Sequence, residues 1–179
     1  MKLLIVYESG NGSVKTAVEY LLTRLLHADV TVADLAKETP KLDAYNVIVA
    51  GSSVRFAKLR KPMRRFLEQN EPVLLKKSVA LFFCCGLMEE QDYYSEKLFS
   101  PALQKAAFHI ACFGGSLNTE GLKLWDKLLV KSMRSRLLEQ AMDDGTYVAE
   151  LPYLLPENVD EMANAVLDVI NRQSSRKSV

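Results

Sequence analysis

Apolar runs and helical periodicities take turns along this chain. Leu3, Leu4, Ile5, Val6 and Tyr7 form an unbroken apolar run, and Glu8-Ser9-Gly10-Asn11-Gly12-Ser13 after it reads as a turn. From Val14 the apolar residues fall at 14, 17, 18, 21, 22 and 25, the spacing of one helix face. Val30 and Val32 alternate with polar neighbours, which predicts a short, half-exposed strand. A second buried run covers residues 46–51, and a helix follows over about 60–69 with Pro62 in its first turn. Residues 78–85 predict a further buried strand, and 93–106 a helix interrupted at Pro101. Another apolar run, 108–113, ends at Gly114-Gly115. Leu122, Trp125, Leu128, Leu129, Met133 and Leu137 mark one more helix. Val159, Met162, Ala163, Val166 and Ile170 mark the last, entered through Pro156.

Strand and helix thus alternate five times. Strands apolar on both faces belong to a parallel sheet covered on both sides, so the fold class is α/β, a three-layer sandwich. The one alternating strand, the second, belongs at an edge. An order of 2-1-3-4-5 satisfies this and the right-handed crossover rule. Ligands of such sheets bind beyond the carboxyl ends of the strands, where strands 1 and 3 diverge. Four loops meet there: residues 8–14, 51–59, 86–92 and 114–121. One domain over 1–172 is expected, with a polar tail, 173–179, that frays.

Composition narrows the picture. Of 179 residues 49% are hydrophobic, too many for a disordered chain. The 23 basic and 22 acidic side chains nearly cancel, so the global charge points to no nucleic-acid partner. The longest apolar stretch, 79–88, is broken by Gly86 and is half of what a membrane span needs. The N-terminal run is too short for a signal peptide and lacks a cleavage site, so a cytoplasmic location is expected. Cys84, Cys85 and Cys112 fit neither a disulfide framework nor a zinc spacing. Neighbouring strand positions send Cys84 and Cys85 to opposite faces, which favours buried structural thiols over a vicinal redox pair. His27 and His109, the only histidines, read as structural, and no metal site is expected.

The chemistry lies in the first loop. A glycine-rich turn between a buried strand and a helix N-terminus points successive N–H groups at one spot, an arrangement that suits a phosphate. Ser9 and Ser13 add hydroxyls, although Ser13 is equally a helix cap. A dinucleotide fingerprint fails because Lys15 stands where its third glycine belongs, and no nucleoside-triphosphate loop is present. A phospho-acceptor aspartate is also missing from the end of strand 3, which reads Ala50-Gly51-Ser52.

Tyr7, Ser9 and Gly12 in that loop resemble the phosphate loop of flavodoxins, in which an aromatic residue, a hydroxyl and a glycine are followed by a threonine. Val14 takes the threonine's place, so Ser13 or Thr16 would supply that hydroxyl. The likeness continues in Ala50-Gly51-Ser52-Ser53-Val54-Arg55-Phe56 and in Phe83-Cys84-Cys85-Gly86-Leu87, the segments where flavodoxins hold the flavin ring. Gly114-Gly115-Ser116-Leu117 and residues 124–131 are similar to the flavodoxin-like subfamily that includes menaquinone-dependent protoporphyrinogen oxidases. The resemblance implies a flavodoxin-like sandwich with FMN as cofactor. It implies that Ser9, Gly10, Asn11, Gly12, Ser13 and the Val14 amide hold the phosphate. Ser52, Ser53, Val54, Arg55 and Phe56 would border the ring, with Phe56 stacking on it. Cys85, Gly86 and Leu87 would line its other side.

Charge placement adds to this. Residues 55–65 hold Arg55, Lys58, Arg60, Lys61, Arg64 and Arg65 with no acid, and Lys123, Lys127, Lys131 and Arg134 follow one helix face. A guanidinium near the ring, from Arg55, would stabilise the anionic reduced flavin and ease two-electron reduction. The basic strip would attract carboxylate-bearing substrates or anionic headgroups in a peripheral membrane contact. The function expected is an FMN-binding flavodoxin-like redox protein that passes electrons to a partner protein or small acceptor. One alternative is a quinone-linked oxidoreductase of the protoporphyrinogen oxidase type, acting on a quinone-like small molecule. Another is an interaction domain on the same fold that has lost FMN, for which Val14 speaks.

Overall fold

A computed structural model describes residues 1–10, 12–85, 91–115 and 154–175. Lys2–Glu8 form β1, Ser13–Arg24 α1, Asp29–Asp34 β2, Val47–Arg55 β3, Lys58–Leu59 β4 and Lys61–Leu74 α2. Ser78–Cys84 form β5, Gln91–Lys97 α3, Pro101–Ala106 α4, Ala107–Cys112 β6 and Pro156–Ser175 α5. The sheet runs β2-β1-β3-β5-β6 with all of these strands parallel. Once the short β4 is set aside, this is the order expected from the hydrophobic pattern, with the alternating strand β2 at the edge.

Pleat alternation divides the core into two layers. Leu3, Ile5, Tyr7, Val47 and Val49 face α1 and α5, where Val14, Leu21, Val159 and Met162 meet them. Leu4, Val6, Ile48, Ala50 and Phe83 face the opposite way, onto Met63, Phe66 and Leu67 of α2 and Leu103 of α4. Each fully buried aliphatic or aromatic side chain contributes about 1.5–3 kcal/mol, so this two-sided burial holds the strands in one register. Cys84 and Cys85 divide between the two layers, as their adjacency requires.

Three boundaries differ from the pattern. The predicted loop 51–59 is a continuation of β3 through Arg55 and a return along β4, with Val54 opposite Leu59 and Arg55 opposite Lys58. Leu59 is buried, and its burial ties the returning strand to the core. The helix predicted over 60–69 runs on to Leu74 with Pro72 in its last turn, where the missing N–H forfeits one intrahelical bond and the helix ends two residues later. The last helix extends to Ser175, into the expected tail, and Gln173 Nε2 donates to Ser78 Oγ at 2.7 Å. The break at Pro101 is present: Ser100 caps α4 by accepting from the Leu103 N–H at 3.2 Å. The helix expected over 122–137 and the Lys123, Lys127 and Lys131 face lie outside the described residues.

Candidate functional site

β1 ends alongside β3, with Glu8 opposite Ser52, and the chain leaves β1 for α1 through the glycine loop. Gly12 is the N-cap of α1 at φ +90°, and as a glycine it supplies no side-chain cap. A Cβ at Gly12 would meet nothing within 4 Å, so the backbone conformation, not space, asks for glycine there. The Gly12 N–H donates to Ser9 Oγ at 3.2 Å, and the Gly12 carbonyl accepts from the Thr16 N–H at 3.0 Å and its hydroxyl at 3.4 Å. The Val14 side chain is fully buried in the α1 layer of the core, so only its amide can serve the loop. Gly10 and Ser13 lie in the same turn; Asn11 lies outside the described residues.

Below this loop sits a carboxylate that the sequence pattern did not single out. Glu8 is 3% exposed, and the Arg60 Nε, from the N-cap of α2, reaches it at 2.7 Å from Oε1 and 2.6 Å from Oε2. Only the approach to Oε1 is aligned as a hydrogen bond, and Oε2 has no aligned donor among the described residues. Burial pushes the Glu8 carboxyl above its ordinary value; Arg60 pulls it down and Asp34 adds to the rise. The guanidinium also lies close against Gly10, where an added Cβ would come within 2.1 Å of Nη1 and 2.7 Å of Cζ. Gly10 is therefore the space that Arg60 occupies. A charged residue closing an otherwise apolar strand was the one sequence signal for this pair.

The second segment is placed differently from expectation. Ser52 is fully buried, and its hydroxyl accepts from the Arg60 N–H at 3.3 Å and donates to the Ser53 carbonyl, so it presents no surface to a ring. Ser53 and Val54 are half-buried along β3. Phe56 and Ala57 form the two-residue hairpin turn at φ 50° and 55°, a conformation non-glycine residues adopt at a cost. Phe56 is 65% exposed at that tip, with the Arg55 guanidinium 5.3 Å from its ring centroid.

In the third segment Cys85 is buried and Gly86 and Leu87 lie outside the described residues. Gly115 packs on the Cys85 backbone, where a Cβ would stand 3.0 Å from its carbonyl carbon. Burial pushes the Cys84 thiol up, and Cys112 and Cys85 add to the rise. Burial also raises Cys112, opposed by N–H donors from Gly114 and Cys85. Thiols held neutral in this way are poor nucleophiles, which fits the structural reading. Tyr94 packs beneath Phe83 in the core, while Tyr93 is half-exposed with Lys97 Nζ over its ring at 4.6 Å. No cluster of three metal-ligating side chains and no helix long and apolar enough to cross a membrane occurs among the described residues.

Of the cations at 55–65, Arg60 turns inward, whereas Arg55, Lys58, Lys61, Arg64 and Arg65 are exposed around the hairpin and the start of α2. The assembled site is a helix N-terminus opened by a positive-φ glycine, with a partly buried guanidinium at the sheet's switch point. That combination suits a phosphate-bearing ligand.

No curated protein sequence matches the chain. Among solved structures it resembles a short-chain flavodoxin associated with a non-canonical PDU bacterial microcompartment, at TM-score 0.57 and 12% identity over 94% of this chain and 98% of that one. It also resembles a flavodoxin from the domain Archaea, at TM-score 0.50 and 20% identity over 73% and 95%. The rubredoxin oxygen:oxidoreductase of the anaerobe Desulfovibrio gigas aligns at TM-score 0.51 and 13% identity, over 93% of this chain but 37% of that longer one. At these identities the likeness is one of fold. Residues 4–143, well over half of the chain, match the family model described as Flavodoxin domain, and the chain belongs to that family.

Proposed function

We propose that this protein binds one FMN through residues 9–14 and passes electrons to a partner protein or small acceptor. The observation that carries the reading is the N-terminus of α1, opened by Gly12 at φ +90° just beyond the end of β1, where Glu8 stands opposite Ser52. In this reading the amides of the first helical turn, with Ser9 and Ser13 beside them, would hold the phosphate. Bound FMN supplies the redox chemistry, and the chain's own residues bind and orient it. Ser53, Val54, Arg55 and Phe56 are the ring-side candidates on β3 and its hairpin, with Cys85 at the base of the opposite segment. Ser52 is omitted, being consumed by the Arg60 amide.

The exposed cations beside the site favour an acidic partner or a carboxylate-bearing small molecule. They also support a second reading, a quinone-linked oxidoreductase of the protoporphyrinogen type. Titrating the purified, flavin-free protein into FMN and following fluorescence tests the main reading. Quenching that saturates at one FMN per chain is expected at micromolar protein. Unchanged fluorescence would leave the FMN-less interaction domain standing. Quinone turnover by the FMN-loaded protein separates the oxidoreductase from the carrier.

A further inference from the structure

The contact between Arg60 and Glu8 is unusual in one respect. An arginine commonly meets a carboxylate fork to fork, two nitrogens against two oxygens. Here both Glu8 oxygens crowd the single Nε, and neither terminal nitrogen donates a hydrogen bond to a described residue. The guanidinium is thereby anchored through Nε, while its Nη1 lies against Gly10 on the wall of the phosphate loop. Its backbone is anchored as well, through the Arg60 N–H to Ser52 Oγ. The side chain is partly buried and its partner almost wholly so, which shields the charge from solvent screening.

We infer that Arg60 is the phosphate-positioning and ligand-selecting residue of this site: Glu8 holds Nε, and the terminal N–H groups are directed at the anion bound in the loop. The inference rests on the FMN reading above and deepens it. Four terminal N–H donors in a planar fork match phosphate oxygens. A permanently placed cation next to a helix N-terminus makes the loop select a phosphorylated flavin over its dephosphorylated form. Gly10 is part of the device, because any side chain there would displace the guanidinium from its place beside the loop. Glu8 serves as the anchor, and its spare oxygen does not compete for the outer edge of the fork.

The test compares FMN with riboflavin, which lacks only the phosphate. Wild type, Arg60→Gln and Arg60→Lys are titrated with each flavin by fluorescence, after urea unfolding has shown that each variant folds. Wild type is expected to prefer FMN strongly. Arg60→Gln should weaken FMN by roughly 10- to 100-fold, the worth of charge-assisted hydrogen bonds, and leave riboflavin within about twofold. Arg60→Lys keeps the ion pair and the fold but has one ammonium to share, so it should fall between. Equal losses for both flavins would show that Arg60 only shapes the loop, and no loss for FMN would show that it does not touch the phosphate. Either result overturns the inference alone. A wild type that binds neither flavin overturns the FMN reading, and the inference with it.

Discussion

Replacing Arg60 by Met should make the stability of this protein steeply pH-dependent. In the wild type, burial raises the Glu8 carboxyl and Arg60 is what pulls it back. Methionine keeps the length of the side chain and removes that pull, so Glu8 is left as an uncompensated charge with 3% of its surface exposed. The carboxylate will escape by taking up a proton, which sets a ceiling on the loss. Keeping it protonated costs about 1.4 kcal/mol for each pH unit above the unfolded-chain value of roughly 4.3. That is about 4 kcal/mol at pH 7.5 and about 1.6 kcal/mol at pH 5.5. Folding of the variant no longer desolvates the Arg60 side chain, which is 29% exposed in the wild type, and this offsets some of the cost. A loss of about 2–4 kcal/mol at pH 7.5 and about 1 kcal/mol at pH 5.5 is therefore expected.

The sign follows from linkage. A group whose folded value is raised contributes stability that is fully present below its unfolded value and lost as pH rises toward the folded one. The variant's stability should accordingly fall between pH 5 and 8 more steeply than the wild type's. Urea unfolding of the flavin-free protein, followed by circular dichroism at the two pH values, reads this directly. At a slope near 2 kcal/mol/M the midpoint should move by about 1–2 M at pH 7.5. Adding Glu8→Gln to Arg60→Met should flatten the pH dependence. An equal loss at both pH values, or a double variant as steep as the single one, would refute the reasoning.

Two further outcomes test the frame around the site. A Cβ at Gly51 would stand 2.1 Å from the Phe82 carbonyl oxygen and 2.6 Å from its ring, and a sheet backbone cannot yield as a side chain can. Gly51→Ala should thus cost about 3 kcal/mol in urea unfolding, and a change below about 0.5 kcal/mol would contradict that geometry. At the hairpin tip, Phe56→Asn with Ala57→Gly supplies residues suited to positive φ and should raise the unfolding free energy by about 1 kcal/mol. The same change should lessen FMN quenching if Phe56 borders the ring, whereas unaltered quenching would remove Phe56 from the ring-side set.

The sheet was legible in the sequence because parallel strands buried on both faces must be apolar at nearly every position. β1, β3 and β5 read so, and β2 betrayed its edge position by alternating, whereas β6, equally apolar, lies half-buried at the other edge. The glycine loop was legible for a local reason too: Gly10 and Gly12 follow a buried strand and precede a helical periodicity. Pro101 marked its helix boundary by the same kind of short-range rule. The β3–β4 hairpin was hidden because its turn is Phe56-Ala57, residues with no turn signature, held at positive φ by pairing on either side and by burial of Leu59. The Glu8–Arg60 pair spans 52 positions and has no local periodicity to announce it. From sequence, Glu8 is a loop residue and Arg60 one cation among six. Only the adjacency of β1 and β3 brings the start of α2 over the end of β1, and desolvation at that junction then decides which of the six cations turns inward. Local rules of propensity and pattern operate over a few residues, whereas the electrostatics of the site depends on which strands lie side by side.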